Sequence, residues 1–141
     1  MSGAIATASI ETTAAPEKVW AALTEADEIA VWMLGTTVET TWEVGAPITW
    51  SGQYDGRAYQ DKGEVLTVEK QRVLSMTHYS PLMGTQDAPE NYHTVVYTLT
   101  RTDSGTRLEL SQDRCDSEEQ AQQFSRNWQS MLDGLRSHVE G

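Results

Sequence analysis

Residues 117–139 read SEEQAQQFSRNWQSMLDGLRSHV. Apolar residues recur in this stretch at spacings of three and four, which is the period of one face of an α-helix. The stripe consists of Ala121, Phe124, Trp128, Met131, Leu132, Leu135 and Val139. A helix of about 20 residues is about 30 Å long, enough to cross a whole sheet. The segment therefore predicts a long C-terminal helix that packs on a large apolar surface.

The start of this helix carries its own signals. Ser117 and Gln120 have the spacing of a capping box, and Glu118 and Glu119 lie where the helix dipole favours acids. Gly134 interrupts the helix at a cost of about 1 kcal/mol relative to Ala. A close approach of the sheet is one explanation for that glycine.

The middle of the chain predicts the sheet. Apolar residues alternate from Thr36 to Arg114, which is the period of β-strands. Five sets of residues each share one strand face. They are Ile48, Trp50 and Tyr54, then Glu64, Leu66 and Val68 after Gly63, then Leu74, Met76 and His78, then Val95, Tyr97 and Leu99, and finally Thr106, Leu108 and Leu110. Asp55-Gly56 is a strong hairpin signal. Pro81 to Asn91 predicts a long loop, and such loops are often functional.

The start of the chain adds one strand and two short helices. Ala4 to Thr12 predicts a strand whose buried face is unclear, because Ile5 and Ile10 lie on opposite phases. Pro16 suits the first position of a helix, and a second helical turn leads to Trp32. Segregated helices and antiparallel strands predict an α+β fold, with a curved antiparallel sheet of about six or seven strands wrapped on the long helix.

The totals limit the classes of protein and partner. A chain of 141 residues suits a single domain, residues 1–141. The formal charge of −11 repels nucleic acid and anionic membranes, so neither is a predicted partner. Cys115 is the only cysteine, which excludes an internal disulfide and fits the cytoplasm. We expect a packed or loop thiol there, not a reactive one. The sequence predicts no signal peptide and no membrane span.

Three motifs resemble a known family. They are Pro16–Thr24 (PEKVWAALT) followed by Trp32, then Gly63–Glu69 (GEVLTVE), then Val95–Leu99 (VVYTL) with Gly105–Leu110 (GTRLEL), closed by Trp128, Leu132 and Leu135. Together they resemble the family named for the C-terminal domain of the activator of the heat-shock protein 90 ATPase. That family belongs to the START-like, or SRPBCC, helix-grip superfamily, which includes the birch-pollen allergen. The resemblance covers nearly the whole chain and implies a cavity between the long helix and the sheet.

Sites for metals, cofactors or covalent catalysis have no signature in the sequence. His78, His93 and His138 are scattered, and no histidine or cysteine pair has metal-ligand spacing. Ser51-Gly52 lacks the pattern of a nucleophile elbow. We therefore predict no cofactor. Glu64 would become a candidate acid or base if it pointed into the cavity. Alternatively it lies at a solvated rim, or the opposite face of its strand points inward.

Aromatic residues favour a binding site instead of a catalytic one. Apolar walls with a few polar groups are typical of ligand pockets, although the same residues would also build a filled core. The predicted ligand-binding residues are Trp32, Trp50, Tyr54, Glu64, His78, His93, Tyr97, Phe124 and Trp128. Trp32 and the Pro81–Asn91 loop are the predicted entrance.

Three functions remain open at this point. The first is the binding of a small hydrophobic or aromatic molecule between the helix and the sheet. The second is a co-chaperone or stress-response module, which the family resemblance alone suggests and which would have a chaperone as partner. The third is a cyclase- or hydrolase-like enzyme that uses Glu64 or a histidine. A monomer and a homodimer are both compatible with the sequence.

Overall fold

A computed structural model of the protein describes residues 4–54, 56–81 and 84–141, and of Tyr54 only the backbone. The strands are β1 (Ala4–Thr12), β2 (Thr37–Glu39), β3 (Pro47–Tyr54), β4 (Arg57–Glu69), β5 (Val73–His78), β6 (His93–Arg101) and β7 (Thr106–Cys115). The helices are α1 (Pro16–Thr24), α2 (Ala26–Trp32) and α3 (Glu118–Glu140), with a 3₁₀ turn at Pro89–Asn91. Within these ranges the strands form one seven-stranded sheet in the order β1-β7-β6-β5-β4-β3-β2, and every neighbouring pair is antiparallel. The predicted α+β architecture is confirmed.

The start of α3 follows the predicted capping pattern with one variation. Ser117 Oγ accepts a hydrogen bond from the Gln120 backbone N–H at 3.0 Å. Gln120 Oε1 reaches back to the N–H of Asp116, at 2.7 Å, one residue before the cap. Two N–H groups that the helix itself cannot satisfy are thereby bonded near its start.

The edge strand β1 determines where α3 lies. Its inward residues are small and buried, and three of them are Ala4, Ala6 and Ala8. Small side chains let a helix approach closely, and α3 runs along this strand. Ser125 Oγ accepts from the Thr7 N–H at 3.0 Å, and Gln129 bonds both the N–H and the carbonyl of Ser9. The helix therefore covers backbone groups that would otherwise form an open sheet edge.

The apolar stripe of α3 divides into two groups. The packed group is Ala121, Leu132, Leu135 and Val139, which are buried. The cleft group is Phe124, Trp128 and Met131, which are only half-buried. The prediction that the stripe faces the concave side of the sheet is confirmed, because Leu132, Leu135 and Val139 share one core with strands β3 to β7 and with α1 and α2.

Strand β4 differs from the prediction. It begins at Arg57 and runs straight through Gly63, where a side chain would place its Cβ 1.8 Å from the Thr77 carbonyl oxygen. Val65 is the inward residue and Glu64 and Leu66 are exposed, so the placement of Glu64 in the predicted binding set is wrong. A β-bulge between Val65 and Thr67 shifts the phase, which is why Val68 still contacts the core. The alternative in which the opposite face points inward is the one observed at Glu64.

The structure also tests the predictions made for Gly134 and Cys115. The sheet does not approach Gly134, since the nearest atom to an added Cβ is the Trp32 carbonyl oxygen at 3.8 Å. The close-approach explanation for that glycine is therefore wrong. Cys115 is buried, and burial raises the pKa of its thiol, so of the packed and loop thiols that the sequence allowed the packed one is observed. No helix in the described ranges is both long and apolar enough to span a bilayer.

Candidate functional site

A cleft lies between the cleft group of α3 and strands β3 to β6, and it has two connected chambers. The inner chamber has a volume of about 350 Å³. Its apolar walls come from Met33, Leu34, Trp50, Met76, Val95, Trp128 and Met131. Its polar side chains are Thr36, Gln53, Tyr59, Asp61, His78 and Tyr97. The chamber is thus a mainly apolar space with a small set of polar groups, the usual make-up of a ligand pocket.

The outer chamber is larger and more polar. Its volume is about 930 Å³, and it opens between the start of α3 and the segment before β6. Described residues of the predicted entrance loop border it, namely Thr85, Glu90 and Asn91. Leu82 and Met83 of that loop lie outside the described residues. Four side chains belong to both chambers: Asp61, His78, Trp128 and Met131.

An Asp–His pair lies where the chambers meet. Asp61 Oδ2 and His78 Nε2 are 2.9 Å apart, and both side chains are largely buried. An ionised carboxylate only accepts hydrogen bonds, so His78 Nε2–H donates, and in the neutral imidazole Nδ1 is then the acceptor. The ring of Trp50 contacts that of His78 edge-on, with centroids 5.0 Å apart. Asp61 therefore orients His78 and selects which of its nitrogens carries the proton.

The second oxygen of Asp61 is unusual. Asp61 Oδ1 is buried and has no hydrogen-bond partner among the described residues. A buried charged acceptor without a partner costs more than the ~1–3 kcal/mol of a neutral one. Such costs are concentrated at functional sites, which makes this pair the most informative polar feature of the cleft.

A chain of hydroxyl groups lies on the β4 side of the inner chamber. Thr36 Oγ1 donates to the Met33 carbonyl at 2.8 Å. Thr36 Oγ1 also lies 2.8 Å from Tyr59 Oη. Because the single hydroxyl hydrogen of Thr36 goes to the carbonyl, Tyr59 donates to Thr36. Tyr59 Oη can then only accept from a further group.

Tyr97 and Trp128 close the floor of the inner chamber. Their rings meet edge-on with centroids 6.3 Å apart, and Trp128 Nε1–H donates to Gln112 Oε1 at 2.7 Å. Burial raises the pKa of Tyr97 well above its usual range, so its hydroxyl stays protonated. In the described part of the chain that hydroxyl makes no hydrogen bond. The Tyr97 hydroxyl is therefore an unpaired hydrogen-bond donor in mainly apolar surroundings.

The wall of the outer chamber is fixed by its own contacts. His93 Nδ1–H donates to the Asp113 carbonyl at 2.7 Å, and its ring meets Phe124 edge-on at 6.1 Å. The loop is tied down by Tyr79, whose hydroxyl donates to the Thr85 carbonyl at 2.6 Å. Lys62 forms an ion pair with Asp87 and holds the pKa of that carboxyl below its usual value. These contacts hold one side of the opening in place.

Most residues of the predicted binding set lie at the cleft. Trp50 and Tyr97 line the inner chamber, His93 and Phe124 line the outer one, and His78 and Trp128 line both.

Two residues of the predicted set lie elsewhere. Trp32 is buried in the core and donates its indole N–H to the Ala22 carbonyl at 2.8 Å, so it joins α1 to α2 instead of forming an entrance. Met33 and Leu34, which follow it, line the inner chamber in its place. Glu64 is exposed on the outer face of β4. The side chain of Tyr54 lies outside the described residues.

The sequence reasoning missed Tyr59 and Asp61. Both lie on the inward phase of β4 with Gly63 and Val65, in a segment that was expected to precede the strand. The signal that would have found them is the Asp55-Gly56 turn, because a tight hairpin places the next strand directly after the glycine. Alternation counted from Arg57 points Tyr59 and Asp61 into the cleft.

Comparison with known proteins identifies the family. The family profile described as Activator of Hsp90 ATPase homolog 1-like protein matches residues 13–140. A protein from Cytophaga hutchinsonii, known from its solution structure, is 40% identical, and the match covers 99% of this chain and 96% of that chain with a TM-score of 0.87.

More distant structures share the fold. A Mesorhizobium loti protein is 24% identical, with 97% of each chain covered and a TM-score of 0.77. The Aha1 dimer from Colwellia psychrerythraea is 18% identical, with 97% of this chain and 96% of that chain covered and a TM-score of 0.74. Among functionally curated proteins, none matches the chain in sequence. The profile match and the Cytophaga hutchinsonii relative together show that the chain belongs to the Activator of Hsp90 ATPase homolog 1-like family, within the helix-grip superfamily.

Proposed function

We propose that this protein binds a small hydrophobic or aromatic molecule in the inner chamber. The observation that carries the proposal is a half-open space of about 350 Å³ with mainly apolar walls beside the hydrophobic core. Ligand pockets have volumes of about 300–1,000 Å³. A ligand there would bury apolar surface against Trp50, Met76 and Val95, at about 25 cal/mol per Å² before the costs of association.

The cleft group of α3 supports the same proposal. Phe124, Trp128 and Met131 are large apolar side chains that stay half-exposed, while residues of the same stripe are fully buried. Leu34 is also exposed, at 85%, beside the mouth of the inner chamber. Apolar surface that folding leaves uncovered is available to a ligand.

A matched pair of variants tests the proposal. Val95→Phe adds ring atoms on the face of β6 that lines the inner chamber, whereas Val96→Phe adds the same atoms on the opposite face. Binding is followed by the fluorescence of N-phenyl-1-naphthylamine, an uncharged apolar probe, and by native mass spectrometry of the protein as expressed. We expect V95F to weaken probe binding at least about tenfold, which corresponds to about 1.4 kcal/mol, while V96F binds like the wild type. Equal binding by V95F and the wild type would place the ligand elsewhere.

Acid–base catalysis in the same cleft is a second candidate function. The Asp61–His78 pair favours it, because a carboxylate that orients a histidine is the arrangement of a general base. A cyclase- or hydrolase-like reaction would then use His78, with Asp61 as a positioning residue. Ligands that bind the wild type are incubated with it and with His78→Gln, extracted, and analysed by mass spectrometry. Conversion by the wild type alone supports an enzyme, and recovery of unchanged ligand from both supports a binding protein.

Family membership supports a third candidate, a co-chaperone or stress-response module. The formal charge of −11 would favour a basic surface on a chaperone partner. Immobilised protein is incubated with purified chaperone at low and at high salt. Retention that weakens with salt supports the interaction, since surface electrostatics are screened. No retention at low salt removes this candidate.

A further inference from the structure

The polar groups of the inner chamber specify which kind of ligand group they can satisfy. Tyr59 Oη has given its hydrogen to Thr36, so it faces any further partner as an acceptor. In its neutral form His78 offers Nδ1 as an acceptor as well, because Nε2–H is bonded to Asp61. Besides the enclosed Asp61 Oδ1, the chamber therefore contains two acceptors that a ligand donor can engage.

Donors are also present. Tyr97 and Trp50 line the same chamber, and neither Tyr97 Oη–H nor Trp50 Nε1–H makes a hydrogen bond within the described ranges. Trp128 Nε1–H is already used by Gln112. The remaining amide, that of Gln53, is on an exposed residue. An apolar ligand without polar atoms would displace water from these donors and acceptors without replacing its hydrogen bonds, which costs binding free energy.

The charges of the lining residues further restrict the class of ligand. Among the described residues that line the inner chamber there is no lysine or arginine, whereas the carboxylate of Asp61 is part of the lining. A ligand carboxylate would lose hydration without gaining a cation and would face a like charge. An ammonium group can donate but cannot accept from Tyr97 or Trp50. A hydroxyl group does both and carries no charge.

From this arrangement, which rests on the proposed binding function, we infer that the inner chamber selects neutral ligands with a hydroxyl group on an aromatic or apolar skeleton. The hydroxyl donates to His78 Nδ1 or Tyr59 Oη and accepts from Tyr97 or Trp50. Fatty acids and other apolar anions are excluded as preferred ligands. This chemistry applies equally to a phenol and to an alcohol, because both present the same donor and acceptor.

Three probes on one skeleton test the inference at pH 7. 2-Naphthol donates and accepts, 2-methoxynaphthalene only accepts, and 2-naphthoate is an anion. Isothermal titration with each probe is expected to rank 2-naphthol first, about tenfold tighter than 2-methoxynaphthalene, because one hydrogen bond to an otherwise unpaired group is at stake. 2-Naphthoate is expected to bind most weakly.

Variants locate the acceptors. His78→Phe and Tyr59→Phe each remove one acceptor, and we expect the preference for 2-naphthol over 2-methoxynaphthalene to fall several-fold in at least one of them. Tyr92→Phe removes a phenolic hydroxyl that bonds Asp87 outside both chambers, so it is the matched control and should keep the full preference. The Tyr59 variant keeps the test decisive if loss of His78 destabilises the protein. Thermal unfolding of each variant checks its fold.

The outcomes distinguish a failure of the hydroxyl selection from a failure of the proposed binding function. If none of the three probes binds, the proposed binding function loses its support. If the probes bind but 2-methoxynaphthalene equals 2-naphthol, only the hydroxyl selection is overturned. Strongest binding by 2-naphthoate would overturn it as well, and would indicate that His78 is protonated in the complex.

Discussion

The packed group and the cleft group of α3 belong to one apolar stripe but have different surroundings. Ala121, Leu132, Leu135 and Val139 touch alanines of β1 or the core beside α1 and α2. Trp128 and Met131 face strands β3 to β6 across an open space, and Phe124 borders the outer chamber while one side of it contacts the β1 alanine cluster. The helix follows the alanine-rich edge strand, so it cannot also lie close to the large side chains at the far side of the sheet. The difference shows that close packing of α3 on β1 leaves a pocket between α3 and strands β3 to β6.

The largest expected effect separates the two groups at neighbouring residues. Leu132→Ala removes a fully buried side chain, which typically costs about 2–5 kcal/mol. Met131→Ala removes a half-buried side chain beside an existing space, so we expect about 1–2 kcal/mol and a change in probe binding. Urea unfolding measures both free energies, with Ser130→Ala on the exposed face as control. Equal losses at Leu132 and Met131 would mean that the cleft is filled.

Enlarging side chains should give the opposite contrast. Ala6→Leu forces extra atoms between β1 and α3, and overpacking of this kind costs about 1–3 kcal/mol. Val95→Leu extends into the inner chamber, so its stability should stay within about 1 kcal/mol of the wild type while probe binding weakens. Thermal unfolding of the two variants compares them directly. Tolerance of leucine at position 6 would show that alanine does not set the helix position.

The polar contacts between α3 and β1 should contribute less. Ser125→Ala and Gln129→Ala each leave edge groups of β1 without their partner on the helix, at about 1 kcal/mol per hydrogen bond. Hydrogen exchange should speed up at the amides of Thr7 and Ser9. Gln122→Ala, an exposed change on the same helix, is the control. Unchanged exchange at Thr7 and Ser9 would indicate that packing alone holds the helix.

The smallest expected effect is a gain. Gly134→Ala places a Cβ 3.8 Å from the Trp32 carbonyl oxygen, which is ordinary contact distance. Because alanine favours a helix interior over glycine by up to about 1 kcal/mol, the variant should be more stable. Thermal unfolding would show a rise in Tm with no change in ligand binding. A lower Tm would mean that α3 needs the glycine to approach α2.

Much of the fold was predictable because it depends on local patterns. The alternation of β5, β6 and β7 and the helical period of α3 each identify a buried face without reference to the rest of the chain. The prediction failed at β4, where a bulge after Val65 reverses the phase and Gly63 lies inside the strand. A bulge depends on the approach of β5, which no local pattern records.

Some residues of the candidate site were also predictable from local patterns, and others were not. His78, Tyr97 and Trp128 were predicted correctly as inward residues, because each shares a phase with strongly apolar neighbours. Asp61 was missed because an acidic residue on an inward phase contradicts the apolar pattern. Trp32 was misplaced because its large apolar ring fits a core as well as a pocket, and only its bond to the Ala22 carbonyl decides between them.

By itself, the amino-acid sequence determined most of the elements, the apolar faces of α3 and of β5 to β7, and the family, because these depend on residue periods of two and 3.6 and on short motifs. Only the tertiary structure decided that a chamber remains beside α3 and that Asp61 meets His78 there. Those features depend on the distance between the helix and the far strands, which is set jointly by the alanines of β1, the bulge in β4 and the packing of α1 and α2.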